Sequence, residues 1–226
     1  MAVVNGYATL AELKTYIGLS GSGQDTNLEN AINSASRQID AITGRFFYQT
    51  GSEVKFFTPD NRLFLVVPDI STPSGLVVQL DTVDDGSYDT TLTINTDFYL
   101  KPIDAGNQVD GEEFAPITEI AILDTRSSER FDPTIVKNVK ITAQFGYSAV
   151  PKAIKQACLI QALRLFKRKD APFNILGNEQ TGQIELFNKF DPDARELIKG
   201  YIKNRLYWLL LIFNLKSLEQ KIYEKD

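Results

Sequence analysis

Histidine is absent from this chain of 226 residues. That removes together the commonest general base, the usual hydrolase triads and nearly all zinc sites. Carboxylates remain as potential acids, bases or magnesium ligands, yet the acidic residues stand in turns and at helix starts, where capping accounts for them. No catalysed reaction, metal or cofactor is expected. Cysteine is nearly absent: Cys158 alone excludes an intrachain disulfide, and its apolar neighbours mark it as a small buried hydrophobe. An excess of cations is missing as well, since Lys and Arg number 24 against 29 Asp and Glu, for a net charge of -5. Such a balance gives no general basis for holding a polyanion such as DNA. The start shows no basic leader with an apolar stretch, so a secretory signal is not expected. The apolar run Tyr207 to Phe213 has seven residues, against the ~20 needed to span a bilayer. No membrane span is expected.

What the chain does have is a globular composition, 43% hydrophobic and 23% charged. Thr9-Leu-Ala-Glu12 is a capping box, after which Leu10, Leu13 and Ile17 recur at helical spacing and Gly18 supplies a left-handed stop. Thr26-Asn-Leu-Glu29 repeats the box. Leu28, Ile32, Ala35, Ile39 and Ile42 then make one stripe ending at Gly44. From about Val54 to Phe145 the texture changes to β-branched and aromatic runs, with strands expected at 54–57, 63–67, 76–80, 91–94, 98–100, 117–123 and 139–145. Asp84-Asp-Gly86 reads as a hairpin turn. The acids Asp81, Asp84, Asp85 and Asp89 do not make a calcium loop, because Val83 and Leu92 occupy ligand positions of an EF-hand count.

After Pro151 comes the most apolar helix. Ile154, Ala157, Cys158, Ala162 and Leu165 form one stripe, Leu159, Leu163 and Phe166 a second, and Lys167, Arg168 and Lys169 close it at the end where the dipole favours cations. A helix apolar on so many sides must be covered, either as the central core helix of a larger domain or by assembly. Asp191-Pro-Asp193 caps a final helix carrying Leu197, Ile198, Tyr201 and Ile202, with Gly200 a weak point. The remaining tail, with Leu215, Leu218 and Ile222 after the apolar run, reads as a surface to be covered, more usually by protein, with a membrane-surface helix as the alternative.

The fold class expected is α+β: mainly a helical bundle, with an inserted antiparallel β domain and an extended C-terminal tail. Residues 1–53 and 147–201 make the helical part, 54–146 the β insertion and 202–226 the extension.

Gly146-Tyr147, Val150-Pro151, the helix with Lys155-Gln-Ala-Cys158 and Phe166-Lys-Arg-Lys-Asp-Ala-Pro-Phe173 stand in a distinctive order. Tyr7 to Gly18, Ala31 to Phe47 and Asp191-Pro-Asp-Ala-Arg195 frame them. In that order they resemble the head-tail connector (adaptor) family of tailed bacteriophages, over roughly residues 7 to 201. The resemblance implies a structural virion protein at the head-tail junction, assembled in the host cytoplasm. It implies a dodecameric homo-oligomeric ring docked beneath the portal protein, extending the DNA channel and carrying a stopper or tail-completion protein. DNA would pass through the lumen without specific binding, because phosphates held by Lys or Arg would resist passage. Ile154, Leu159, Leu163 and Phe166 are expected to serve core and ring contact together. Phe173, Ile175 and Leu176, with Trp208, Leu211, Phe213 and Leu215 of the tail, are expected to touch the portal or a neighbouring subunit. The rival reading is a virion or cell-surface module binding carbohydrate or protein through the β domain, suggested by Tyr88, Phe98, Tyr99 and Phe114.

Overall fold

The computed structural model describes residues 2–103, 105, 115–168 and 190–203, with backbone alone at 175–176 and 184–185. Helix α1, Leu10–Ile17, forms where the sequence places it. The Thr9 hydroxyl accepts the Glu12 N–H while the Glu12 carboxylate accepts the Thr9 N–H at 2.8 Å, and Gly18 ends the helix at φ 68°. Helix α2, Asp25–Thr43, ends as expected at Gly44, also left-handed, but it does not use the Thr26 box. It begins two residues earlier, behind Gln24, which gives no side-chain cap, and Asp25 pairs with Lys14. Helix α3, Lys152–Lys167, and α4, Pro192–Ile198, complete the set, with the Asp191 carboxylate capping α4 and a single 3-10 turn following at Lys199–Tyr201.

Between α2 and α3 lie seven strands: β1 Gln49–Phe57, β2 Phe64–Ile70, β3 Val77–Leu80, β4 Thr90–Leu92, β5 Phe98–Lys101, β6 Ile117–Ile122 and β7 Val139–Gly146. All named pairings are antiparallel, in the order β4-β3-β7-β2-β6-β5, with β1 on β7. β7 is the organising strand, touching β1 along its length, β3 at Val139 to Thr142 and β2 at Phe145. A bridge between Ile94 and Phe98 brings the end of β4 to the start of β5, so the sheet is nearly closed as a barrel. Inside it Leu65, Val67, Ile70, Val78, Leu80, Ile120, Phe131, Ile141 and Phe145 form a self-contained apolar core.

This overturns the expectation of a mainly helical bundle with a β insertion. Among the described residues the protein is mostly β, built on a seven-stranded antiparallel sheet, with four short helices. The physical reason lies in β7. Its partners come from both sides of it in space and from far earlier in the chain, Gln49 standing opposite Gly146, so the strands close on one another and bury a complete core without the helices. Local periodicity registers each short strand but not that closure.

The helices have a second core. α3 packs against α2, α4 and α1, burying Leu13, Leu28, Ile32, Ile39, Phe47, Ile154, Cys158 and Ile198. Phe47 sits at its centre, with ring centroids of Tyr7, Tyr147 and Tyr201 at 5.6, 4.8 and 5.6 Å.

Candidate functional site

The residues expected to make contacts divide between the helical core and segments beyond it. Ile154, Leu159 and Phe166 are buried within the subunit, and Leu163 is half-buried. α1, α2 and α4 pack against α3, and Leu165, like Leu163, is half-buried. Phe173, Trp208, Leu211, Phe213 and Leu215 lie outside the described residues, and of Ile175 and Leu176 only the backbone is described. These two form β8, paired antiparallel with β9, Ile184–Glu185. The tail departs from a defined place: the Lys203 N–H donates to the Thr43 carbonyl at 2.8 Å, beside the end of α2.

The junction between the two cores is built from residues far apart in the sequence. The Arg45 guanidinium donates to the Asp69 carboxylate, which is buried on β2. The Gln49 side-chain amide donates to the Ser71 hydroxyl at 2.9 Å, and that hydroxyl donates to the Gln144 carbonyl. Gly146 crosses here at φ 94°, where a Cβ would meet the Tyr48 carbonyl oxygen at 1.9 Å. Beneath the junction the Tyr7 hydroxyl donates to Asp40 and accepts the Phe47 N–H at 2.9 Å. Arg37 pairs with Asp40 at 3.1 Å. Burial pushes the Tyr7 hydroxyl far above its ordinary pKa, and burial likewise raises Asp40 despite the opposing Tyr7 hydrogen bond and Arg37 charge.

The Asp81–Asp89 cluster resolves into a loop organised by one residue. The buried Asp81 carboxylate accepts the N–H groups of Val83, Asp84, Asp85 and Gly86. Burial acts to raise its pKa, but these four donors hold it below the usual carboxylate value. No cluster of three metal-ligating side chains occurs among the described residues.

Of the aromatics behind the rival reading, Phe98 belongs to the barrel core and Phe114 lies outside the described residues. Tyr88 and Tyr99 are half-buried, with the Tyr88 hydroxyl donating to the Lys137 carbonyl.

Sequence reasoning missed the outer wall of the barrel. On one half, register aligns Val54, Thr142 and Val77 in one row and Phe56, Lys140, Gln79 and Thr91 in the next. Val54, Phe56 and Val77 are 48%, 47% and 39% exposed. Phe56 packs on Tyr88 at 5.5 Å, the Lys140 ammonium lies 5.5 Å from the Tyr88 ring and that of Lys137 6.0 Å from Phe56. On the other half, Phe64, Ala121 and Tyr99 align beside Val66, Glu119 and Lys101. Phe64 and Val66 are 41% and 38% exposed. The Lys101 ammonium bonds Glu119 at 2.8 Å and stands 4.5 Å from the Phe64 ring. Outward residues of strands could be sorted from inward ones by alternation, but their neighbours depend on pairing across the sheet.

No protein-family model and no curated protein matches the chain. Among solved structures, it is similar to a chain in the neck of an empty GTA particle computed with C6 symmetry, at 14% identity over 91% of this chain and 94% of that one, with a TM-score of 0.52. Chains in the neck of the native GTA particle computed with C12 symmetry and in the virion of a native gene transfer agent particle are similar at 16% and 18% identity, both over 91% of this chain, with TM-scores of 0.46. They are covered over 93% and 94% of their own lengths, respectively. The fold, barrel and helical core together, is therefore one that also occurs in the neck of an empty GTA particle.

Proposed function

We propose that this chain is a structural component of a virion neck, and within it a head-tail connector that forms a ring beneath the portal, extends the DNA channel and joins the head to a stopper or tail protein. The observation that carries the reading is the fold likeness to a GTA neck chain across 91% of this chain and 94% of that one. It agrees with the ordered motifs that resemble head-tail connectors. A fold alone hosts many functions, so the argument needs both. In this reading the protein catalyses no reaction and uses no cofactor. Its work is done by surfaces: the segments around Phe173 to Leu176 and Trp208 to Leu215 reach the portal or the next subunit. The chain's net charge of -5 suits a channel through which DNA slides without being held.

The test is attachment. Purified full-length protein, added to portal-containing heads that lack it, is expected to co-sediment with them and to restore their joining to tails. Failure to attach, or equal yields of joined particles with and without the protein, overturns the connector reading.

A further inference from the structure

We infer that the Arg45–Asp69 ion pair is an orientation lock, which fixes the angle at which the barrel stands on the helical core across a joint that would otherwise bend. The lock belongs to the subunit itself and is independent of the connector reading. The two cores share no residue, and among the described residues no helix and strand make an extended contact. The chain passes between them at residues 45–49 and again at 146–147. These passages run antiparallel, Gln49 standing opposite Gly146 and the Tyr147 N–H donating to the Tyr48 carbonyl at 3.3 Å. Phe46 packs on the barrel core, Phe47 and Tyr48 on the helical one. Just inside the barrel the β1–β7 register shifts between Gln49 and Ser52, an irregularity of the kind that bends and twists a strand. Bodies joined by few crossings, without a large apolar interface, move relative to one another unless something restrains them. Residues at the ends of elements are where such motion is absorbed.

Arg45 and Asp69 stand where a restraint acts. Arg45 belongs to the passage that leaves α2 and Asp69 to β2 of the barrel, and their side chains are 18% and 6% exposed. A buried ion pair is a weak source of stability, because desolvating two charges offsets most of their attraction and apolar side chains of similar volume often serve as well. Nor is this pair arranged for greatest strength: the Arg45 Nε is buried and has no hydrogen-bond partner among the described residues. What the pair supplies and an apolar contact does not is direction. A guanidinium meets a carboxylate in a narrow range of geometries, whereas methyl groups slide past one another. Rotation of the barrel about the two passages would draw Arg45 from Asp69 and leave both charges buried and unpaired, so one orientation is held. Gly146 sets how closely the passages approach, and the ion pair sets the angle between the bodies they join.

The test measures the angle directly. Full-length protein carries one spin label on each body, at Val83→Cys of the barrel and Glu196→Cys of α4, both exposed positions. Cys158 is buried and stays in place, and the chain without added cysteines checks that it takes no label. Pulsed dipolar spectroscopy is expected to give one narrow distance distribution, and Arg45→Met combined with Asp69→Leu to widen it about twofold or more. A label pair within the barrel, Val83→Cys with Val66→Cys, is expected to keep its width in the same double variant. An equally narrow distribution between the bodies without the ion pair overturns the lock, as does a native distribution that is already broad. Widening within the barrel, or loss of the cooperative thermal transition in the double variant, overturns it too, because the pair would then support the fold and not the angle.

Discussion

The α-carbon of Gly146 faces the carbonyl oxygen of Tyr48 so closely that a Cβ there would lie 1.9 Å from it, at the crossing between the barrel and the helical core. Tyr147 then enters the aromatic cluster around Phe47, while Phe145 enters the barrel. One glycine thereby sets how the two cores join.

Gly146→Ala is accordingly expected to lower stability by about 3 kcal/mol or more, from positive-φ strain combined with a backbone clash. Urea denaturation measures it. Gly75→Ala is the control: φ is 76° but nothing lies within 4 Å of the added Cβ, so only the strain of about 1 kcal/mol applies. Equal losses at the two sites would show that the clash relaxes.

Arg45→Met leaves the buried Asp69 carboxylate without its cation, and the expected loss is about 3–5 kcal/mol. Arg45→Met with Asp69→Leu, which removes both charges, should recover most of it. A double-mutant cycle by thermal or urea unfolding checks the pair, and additive losses would mean that the ions are not coupled.

Asp81 links pH to stability. Its folded pKa lies below its unfolded one, so its contribution is present above the ordinary carboxylate pKa and is lost as pH falls through the folded value. Glu12, lowered first by its Lys155 hydrogen bond, acts in the same sense. Asp40, raised by burial, acts oppositely: its contribution is present below the unfolded pKa and is lost as pH rises through the folded one. Asp81→Asn should therefore flatten the acid limb of a plot of melting temperature against pH, and Asp40→Asn should steepen the net acid loss. An unchanged acid limb in Asp81→Asn would mean that the loop is not held by the charge.

Truncation after Lys203 removes the apolar run but keeps the Lys203 to Thr43 hydrogen bond and both cores. The shortened protein is expected to fold, with a cooperative thermal transition and helix and strand signals in its far-ultraviolet circular dichroism, and to co-sediment less with portal-containing heads. Full attachment would make the tail dispensable to the connector, while precipitation would place Tyr207 to Phe213 in the subunit's own core.

Local signals carried much of the architecture. The Thr9 box, the stops at Gly18 and Gly44, the Asp191 cap and the seven strands were all legible in the sequence, because each depends on a few neighbouring residues whose conformational preferences act at short range. Thr26 misled: α2 starts at Asp25, which pairs with Lys14, and Thr26 lies inside the first turn. The balance of the fold was decided only in three dimensions. Pairing of β7 with β1, β2 and β3 closed a barrel that no window of the sequence contains, and the packing of α1, α2 and α4 against α3 buried Ile154, Leu159 and Phe166 within the subunit. The same pairing created the exposed rows of Val54, Phe56 and Val77 and of Phe64 and Val66. A strand's alternation determines which side chains share its face, but register determines what stands beside them, and register is settled by contacts between residues far apart in the chain.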